Sequence, residues 1–283
     1  MPKYQFGTLY VVATPIGHLD DITLRAIKTL EKVDIIAAED TRHANFLLKH
    51  FSIKKPMRSL HEFNEREKVK IILADLMQGK SIALVSDAGT PLISDPGYRL
   101  IKEAKTNGIC VVPIPGPCAA IAALSAAGLP SDKFIFEGFL PIKEEACRHY
   151  LSTLLHETRT LIFYEAPHRL LSALHVMVQV FGGKREAVIA RELTKIHENI
   201  LANHLDGLIE HFKTHPDEER GEIVILIKGS EEKEKETIAV SIDDVLTTLL
   251  GELSVKQAVS ITSKITGERK NKLYELALTK KTN

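Results

Sequence analysis

The sequence contains no tryptophan and only 6% aromatic residues. That argues against a nucleic-acid binder built on rows of stacking platforms. Its three cysteines, Cys110, Cys118 and Cys147, show no CxxC spacing. A zinc knuckle and a disulfide framework are therefore not indicated, and the thiols suit a reducing compartment. Neither sign of charge prevails: 37 Lys and Arg face 37 Asp and Glu. A protein held to nucleic acid by bulk charge alone is more basic than this, so any RNA contact must come from local clusters. Long apolar runs are missing too. The least polar stretch, 109–129, is broken by Pro113, Pro115 and Pro117 and is rich in small residues, unlike a membrane span. The opening MPKYQFGTLYVVATP lacks the basic, apolar and small-residue sections of a secretion signal. The expectation is a cytoplasmic protein with no membrane association.

Several chemical fingerprints are absent as well. No GxGxxG follows the first predicted strand, and no GxxxxGK[ST] occurs, so neither a dinucleotide site of the Rossmann type nor a P-loop is supported. The run His61-Glu62-Phe63-Asn64-Glu65 starts like a zincin motif but has Glu where the second histidine belongs. Twelve histidines include pairs seven apart (His43/His50, His168/His175, His197/His204/His211), yet no cluster has an acid or second ligand at binding distance in sequence, and no metal site is expected. GxSxG is missing and no cysteine has an evident histidine partner, which leaves acyl-enzyme chemistry without support.

What is present is an alternation of short apolar strands and amphipathic helices. Strands are predicted over 9–13, 34–38, 82–85, 109–112, 133–137, 160–164, 187–191 and 222–227. Helices are predicted over 22–30, 44–50, 65–77, 98–106, 118–127, 143–155, 168–181 and 204–212, with Val69, Ile72, Leu73 and Leu76 on one face of the third. With 283 residues, 44% apolar and 26% charged, the chain has room for two α/β domains, each an open, mainly parallel sheet. The proline-rich 113–117 marks their boundary, giving domains over 1–114 and 115–229. A solvated linker, SEEKEKE (230–236), leads to three short helices over 242–250, 255–265 and 268–278. Ser254 and Thr266 are candidate N-caps, and Gly267 suits a tight turn. This helix-turn-helix-like tail spans 230–283 and has a basic end: Lys264, Arg269, Lys270, Lys272, Lys280 and Lys281.

The most informative stretch is 85–97, VSDAGTPLISDPG, directly after the predicted strand 82–85. Two acids, two glycines and two prolines in so short a loop exceed what a plain turn needs. Open α/β sheets place ligands at such strand ends. Five more polar clusters share the character: 14–19 (TPIGHL), 39–42 (EDTR), 61–65 (HEFNE), 165–169 (EAPHR) and 191–195 (RELTK). Together they predict one cleft lined from both domains.

The segments GTLYVVATPIGHLDDITLRA, AEDTR, HEFNE, VSDAGTPLISDPG, IPGP, GFLP, YEAPHR and RELTK, in this order, resemble the tetrapyrrole-methylase-like (class III) S-adenosylmethionine methyltransferases. Within that family they look most like the branch that methylates a cytidine 2′-hydroxyl in small-subunit ribosomal RNA. The similarity covers about 6–229, and the helical tail resembles that branch's C-terminal extension. Two departures are visible: Gly17-His18-Leu19 where GNL is usual, and Cys118 where a small hydroxyl residue is common.

The resemblance implies S-adenosylmethionine folded between the two domains. Pro15, Ala88, Gly89, Thr90 and Ile93 would contact it from the first, and Cys118, Ala119, Glu165 and Ala166 from the second. Asp87 would favour the sulfonium cation or orient the loop, and the loop's aspartates and prolines would hold its shape. The implied reaction is in-line displacement of the methyl group by a ribose oxygen, driven mostly by alignment and helped by a base. Candidates are Asp40, as first choice, with His61, Glu62 and Glu192. Arg42, Arg169 and Arg191 would hold phosphate or ribose, and Lys264, Arg269, Lys270 and Lys272 would contact RNA from the tail. The partners implied are small-subunit ribosomal RNA or the assembled particle, and a second copy in a homodimer. Two other readings stay open: methylation of a tetrapyrrole or other small molecule, and a non-catalytic ribosome-assembly factor.

Overall fold

The computed structural model describes residues 6–231 and 242–281. Of the predicted linker, 232–236 lie outside the described residues, as do the side chains of Lys280 and Lys281.

The first half runs β1 (Thr8–Val12), α1 (Leu24–Lys32), β2 (Ile35–Ala38), α2 (Thr41–His50), β3 (Met57–Ser59), α3 (Glu65–Met77), β4 (Ile82–Val85), α4 (Tyr98–Thr106) and β5 (Cys110–Ile114). Its five strands form one sheet in the order β3-β2-β4-β1-β5, and every pairing is parallel. The composition explains the placement. β2 (IIAA) and β4 (IALV) are apolar throughout and wholly buried, as strands covered on both faces must be. Two core layers flank the sheet, and α3 buries the predicted stripe Val69, Ile72, Leu73 and Leu76. Because the strands are parallel, their C-terminal ends and following loops share one edge.

The second half runs α5 (Ala119–Ala126), β6 (Phe134–Phe139), α6 (Glu144–Thr153), β7 (Thr160–Glu165), α7 (Leu170–Phe181), β8 (Glu186–Arg191), β9 (Asn199–His204), α8 (Leu205–Thr214) and β10 (Ile223–Ile227). The α/β class is as predicted, but this sheet is not mainly parallel. In its order β6-β7-β10-β8-β9 only β6 and β7 run parallel; the other three pairings are antiparallel. The difference arises from β9, an unpredicted edge strand whose sequence NILANH is half exposed and carries no clean alternation. The three-residue β3 (MRS) also escaped the apolar pattern.

Helices α6, α7 and α8 cover one face of the second sheet. The other face packs against α5 in a cluster that includes Ile16 and Leu193, so the strand ends of the two sheets meet. Residues 1–230 make one compact unit and the tail another. The tail's α9 (Ile242–Glu252), α10 (Val255–Thr266) and α11 (Lys270–Lys281) share a small core of Leu246, Ala258, Val259, Leu273 and Ala277. Ser254 precedes α10 as predicted, its backbone N–H donating to Gln257 Oε1 at 3.3 Å. Thr266 is not an N-cap: it is the last residue of α10, Gly267 turns left-handed at φ 73°, and α11 begins only at Lys270.

Candidate active site

Where the strand ends meet, a cleft of about 400 Å³ opens, a size suited to a small-molecule ligand. The first sheet contributes Ile16 after β1, Glu39 after β2 and most of the 86–97 loop after β4. The second contributes Cys118 and Ala119 at the start of α5, Phe139, Tyr164, Glu165 and Ala166, Leu193 after β8, and 221–224 at the start of β10.

The loop is held by backbone rather than bulk. Thr14 and Gly89 exchange N–H···O bonds of 2.8 and 3.1 Å, and Thr90 Oγ1 donates to the Pro117 carbonyl at 2.9 Å. Four of its residues are left-handed: Gly89 (φ 78°), Leu92 (75°), Ser94 (69°) and Gly97 (124°). Such conformations in non-glycine residues cost about 1–3 kcal/mol each and persist only where surroundings over-determine them. At Gly97 the φ of 124° strains any side chain, and a Cβ would also lie 2.9 Å from Leu84 Cδ2, so glycine is favoured. The far end is fastened by Glu65, whose Oε1 accepts the N–H groups of Gly97 and Arg99, each at 3.2 Å.

Three carboxylates, Glu39, Asp87 and Asp95, gather in this cleft. Burial, reinforced by Asp95 and Asp87, pushes Glu39 up to about 6. Burial also raises Asp95 to about 6, against a lowering hydrogen bond from Ser86 and with a further push from Asp87. Asp87 orients the loop as well: Oδ1 accepts the Asp40 N–H at 2.9 Å, and Oδ2 lies 3.3 Å from His43 Nδ1. On the opposite wall the Glu165 side chain is fully buried. Its Oε1 accepts the Ala166 N–H at 2.7 Å, while Oε2 lies 3.3 Å from Arg169 Nη2 and makes no hydrogen bond. Burial raises the Glu165 pKa, opposed by the Ala166 N–H and Arg169. An acidic cleft whose lining mixes small and apolar residues with Glu39, Asp87 and Asp95 fits a cationic ligand with an apolar part.

Asp87, Ala88, Gly89, Thr90, Ile93, Cys118, Ala119, Glu165 and Ala166 all line this cleft. Pro15 does not: it is buried, and Ile16 forms that wall. The expected bases fare differently. Asp40 N-caps α2, with Oδ1 accepting the Arg42 N–H at 2.8 Å and both oxygens binding the Arg42 guanidinium. Those Arg42 hydrogen bonds hold Asp40 far below the usual carboxylate range, which makes it a poor base, and they occupy Arg42. Glu192 faces a separate, more open groove. Its Oε1 accepts from Lys195 Nζ at 2.8 Å and the Glu222 N–H at 2.9 Å. Burial would raise Glu192, but Lys195 and Glu222 hold it low. Gly221 is left-handed (φ 94°), and a Cβ there would overlap the Glu192 carboxyl.

His61 and Glu62 sit on the turn after β3 and do not line the cleft. Arg169, expected to hold phosphate or ribose, is turned inward: its guanidinium donates to the Leu140 and Pro141 carbonyls at 3.2 and 2.8 Å and faces Glu165, joining the GFLP segment to β7. Arg191 is half-buried and donates to the Arg220 carbonyl at 3.3 Å. In the tail, Lys264, Arg269, Lys270 and Lys272 are exposed, with Lys272 2.9 Å from Glu268. Among the described residues no group of three His, Cys, Asp or Glu is arranged to hold a metal ion, and no helix is long and apolar enough to cross a membrane.

The site residues missed from the sequence include Glu39, Asp95, Phe139, Tyr164 and the 221–224 segment, besides Ile16, Ser94, Pro167 and Leu193. Glu39 and Asp95 stood inside quoted motifs, one as the neighbour of Asp40 and the other as a shape-holder. The 221–224 segment carried no signal, because an antiparallel strand enters the cleft by its N-terminal end.

Residues 8–209 match the family described as Tetrapyrrole (Corrin/Porphyrin) Methylases, and 236–281 match the RsmI C-terminal HTH domain. The chain belongs to the tetrapyrrole methylase family. More particularly, it is 53% identical to the ribosomal RNA small subunit methyltransferase I of Pseudomonas aeruginosa, over 96% of this chain and 97% of that one. Similarity to the proteins of the same name from Escherichia coli O157:H7 (50%; 96% and 95% covered) and Haemophilus influenzae (48%; 96% and 96%) is comparable. Among solved structures, diphthine synthase (TM-score 0.59, 14% identity, 78% of this chain and 90% of that chain) shares the fold. So does uroporphyrin-III-C-methyltransferase from Thermus thermophilus (0.53, 18%, 78% and 94%). Fold likeness at that identity says nothing of substrate.

Proposed function

We propose that this protein transfers a methyl group from S-adenosylmethionine to the ribose 2′-hydroxyl of a cytidine in small-subunit ribosomal RNA. The observation that carries the reading is an acidic cleft at the meeting of two sheets, in a chain about half identical, nearly end to end, to proteins named for methylating that RNA. S-adenosylmethionine, when bound, supplies an electrophilic methyl group on a cationic sulfur.

The chain's own residues bind, align and handle the proton. Ala88 and Gly89 leave backbone within reach of the ligand, while Asp87 and Asp95 balance its positive charge and accept its hydroxyls. Most of the rate gain comes from holding acceptor oxygen and methyl group in line. The ribose hydroxyl is a weak acid and needs an acceptor for its proton. Glu39 takes this role in place of Asp40: it lines the cleft, and its pKa of about 6 suits a base at neutral pH. The exposed cations of the tail contact RNA, the protein works in the cytoplasm, and two copies pair as a homodimer.

The test measures incorporation of labelled methyl groups by the full chain into purified small ribosomal subunits, beside a porphyrinoid acceptor. Incorporation into the subunits, in a linkage that resists alkaline hydrolysis at one cytidine, is the expected result. Labelling of the porphyrinoid alone overturns it in favour of small-molecule methylation. Absence of S-adenosylmethionine binding by calorimetry overturns it in favour of a non-catalytic assembly factor.

A further inference from the structure

In a chain whose 37 cations balance its 37 anions, residues 41–61 carry five Lys and Arg and not one Asp or Glu. The stretch comprises α2, the connection to β3, β3 itself and the start of the turn beyond it. Arg42 and Arg58 are engaged, by Asp40 at 2.6 Å and Asp75 at 2.7 Å. Lys49, Lys54 and Lys55 have no ion-pair partner among the described residues. On α2 the spacing of Arg42, Phe46, Lys49 and His50 puts them on one face, and all four are exposed; Phe46 is 68% exposed.

A second exposed aromatic stands past the opposite end of β3 from Lys54 and Lys55, next to exposed Glu62. Phe63 is 96% exposed, forgoing the roughly 1.5–3 kcal/mol that burial of such a side chain returns. Its turn is nevertheless hydrogen-bonded within itself. Asn64 Oδ1 accepts the His61 N–H at 3.0 Å, which fixes the amide. Asn64 Nδ2 then donates to Ser59 Oγ at 3.2 Å and to His61 Nε2 at 2.9 Å. The turn also adjoins the cleft: Leu60 N–H donates to the Ala38 carbonyl, one residue before Glu39, at 2.8 Å. Glu65 ties its far side to Gly97 and Arg99.

We propose that α2 and the 61–64 turn form the docking face for single-stranded RNA, with Lys49, Lys54 and Lys55 on phosphates and Phe63 stacking on a base. This rests on the RNA reading above and adds where the substrate lands. Unpaired cations attract the phosphate chain, and a presented ring takes an unstacked base. A second copy of the protein is a poorer occupant, since a two-fold contact would press the same cations against themselves.

Two variants of the full chain test it against a short single-stranded oligoribonucleotide and the purified small subunit. In the first, Lys49→Gln, Lys54→Gln and Lys55→Gln are combined. Its slope of log affinity against log salt is expected to shrink by about 2, with roughly tenfold weaker RNA binding at low salt and unchanged S-adenosylmethionine affinity. An unaltered slope overturns the lysine contacts even while the wild type methylates its subunits; if wild type fails to methylate yet the slope shrinks, the face stands and the enzyme reading falls. The second, Phe63→Trp, creates a sole tryptophan, whose emission is expected to be quenched by RNA. Emission unmoved at saturating RNA overturns the stacking role, and a change of oligomeric state in the lysine variant reassigns the face to a copy-to-copy contact and overturns the proposal.

Discussion

Two adjoining regions of this molecule carry opposite charge. The cleft gathers Glu39, Asp87, Asp95 and Glu165, whereas the 41–61 stretch beside it has five cations and no acid. They meet where Ala38 pairs with Ser59 and Glu39 follows directly, while Lys54 and Lys55 precede β3 at its other end. The cleft acids are crowded and partly dry, so two of them sit near 6 instead of near 4. The lysines are solvated and spaced. A crowded acidic pocket selects one small cation, while a spread basic face attracts a long polyanion without regard to sequence. On the proposed reading, opposite charges on the two surfaces would keep two ligands of opposite sign on their own sites.

The sharpest way to break that comparison is to neutralise the cleft acids one at a time. Glu39→Gln is expected to lower the methyl-transfer rate by about 10²-fold or more, as loss of a general base does, while leaving S-adenosylmethionine affinity within a few-fold. Asp95→Asn is expected to weaken that affinity about 10- to 100-fold, the loss of one charge-assisted contact, with RNA affinity unmoved. Calorimetry and single-turnover rates separate the two, and interchanged phenotypes would reverse the assignment. Activity should rise with pH through a limb near 6 that belongs to the coupled acids jointly. The sign for folding is opposite. Carboxylates raised to about 6 in the native state hold protons that the unfolded chain has already released. Their contribution to stability is therefore present at lower pH and is lost as pH climbs from about 4 to 6. Thermal melts of the ligand-free protein across that window check it.

A smaller effect sharpens the comparison from the side of the scaffold. Glu65 belongs to the turn of the basic face, yet its carboxylate fastens the end of the acidic loop through Gly97 and Arg99. Glu65→Ala removes the acceptor of two backbone N–H groups at the start of α4. The expected cost is about 1–2 kcal/mol of stability by urea denaturation, with a few-fold weaker cofactor binding and an unchanged salt slope for RNA. Equal loss on both ligands would show that the two regions are not independent.

Much of this arrangement was legible in the sequence, and the exceptions have physical causes. The first sheet could be read because β2 and β4 are apolar along their whole length and α3 shows its stripe. The second sheet misled, since β9 is a polar edge strand that converts a parallel pattern into a hairpin. In the cleft, motif position located the loop residues and the start of α5, because glycine, proline and small residues mark where backbone must come close. Polar residues were harder. Asp40 and Glu39 are neighbours with the same functional group, and only the fold shows that one caps a helix while the other faces the cleft. Arg169 reads as a surface cation, yet the structure turns it inward onto two carbonyls.

The smallest expected effect falls on that misread neighbour, and it is the one that most directly tests the division of labour. Asp40 lies between the two regions: its backbone N–H donates to Asp87 in the cleft, and its side chain caps the helix that carries the basic face. Asn is as good an N-cap as Asp, and the ion pair lost with Arg42 is exposed to solvent, so Asp40→Asn should leave methyl transfer within about threefold of wild type. Asp40→Ala, which removes the cap as well, should lower the melting temperature more than the rate. If Asp40→Asn instead stops turnover while cofactor and RNA still bind, Asp40 is the proton acceptor after all and Glu39 is only one of the cleft's charges.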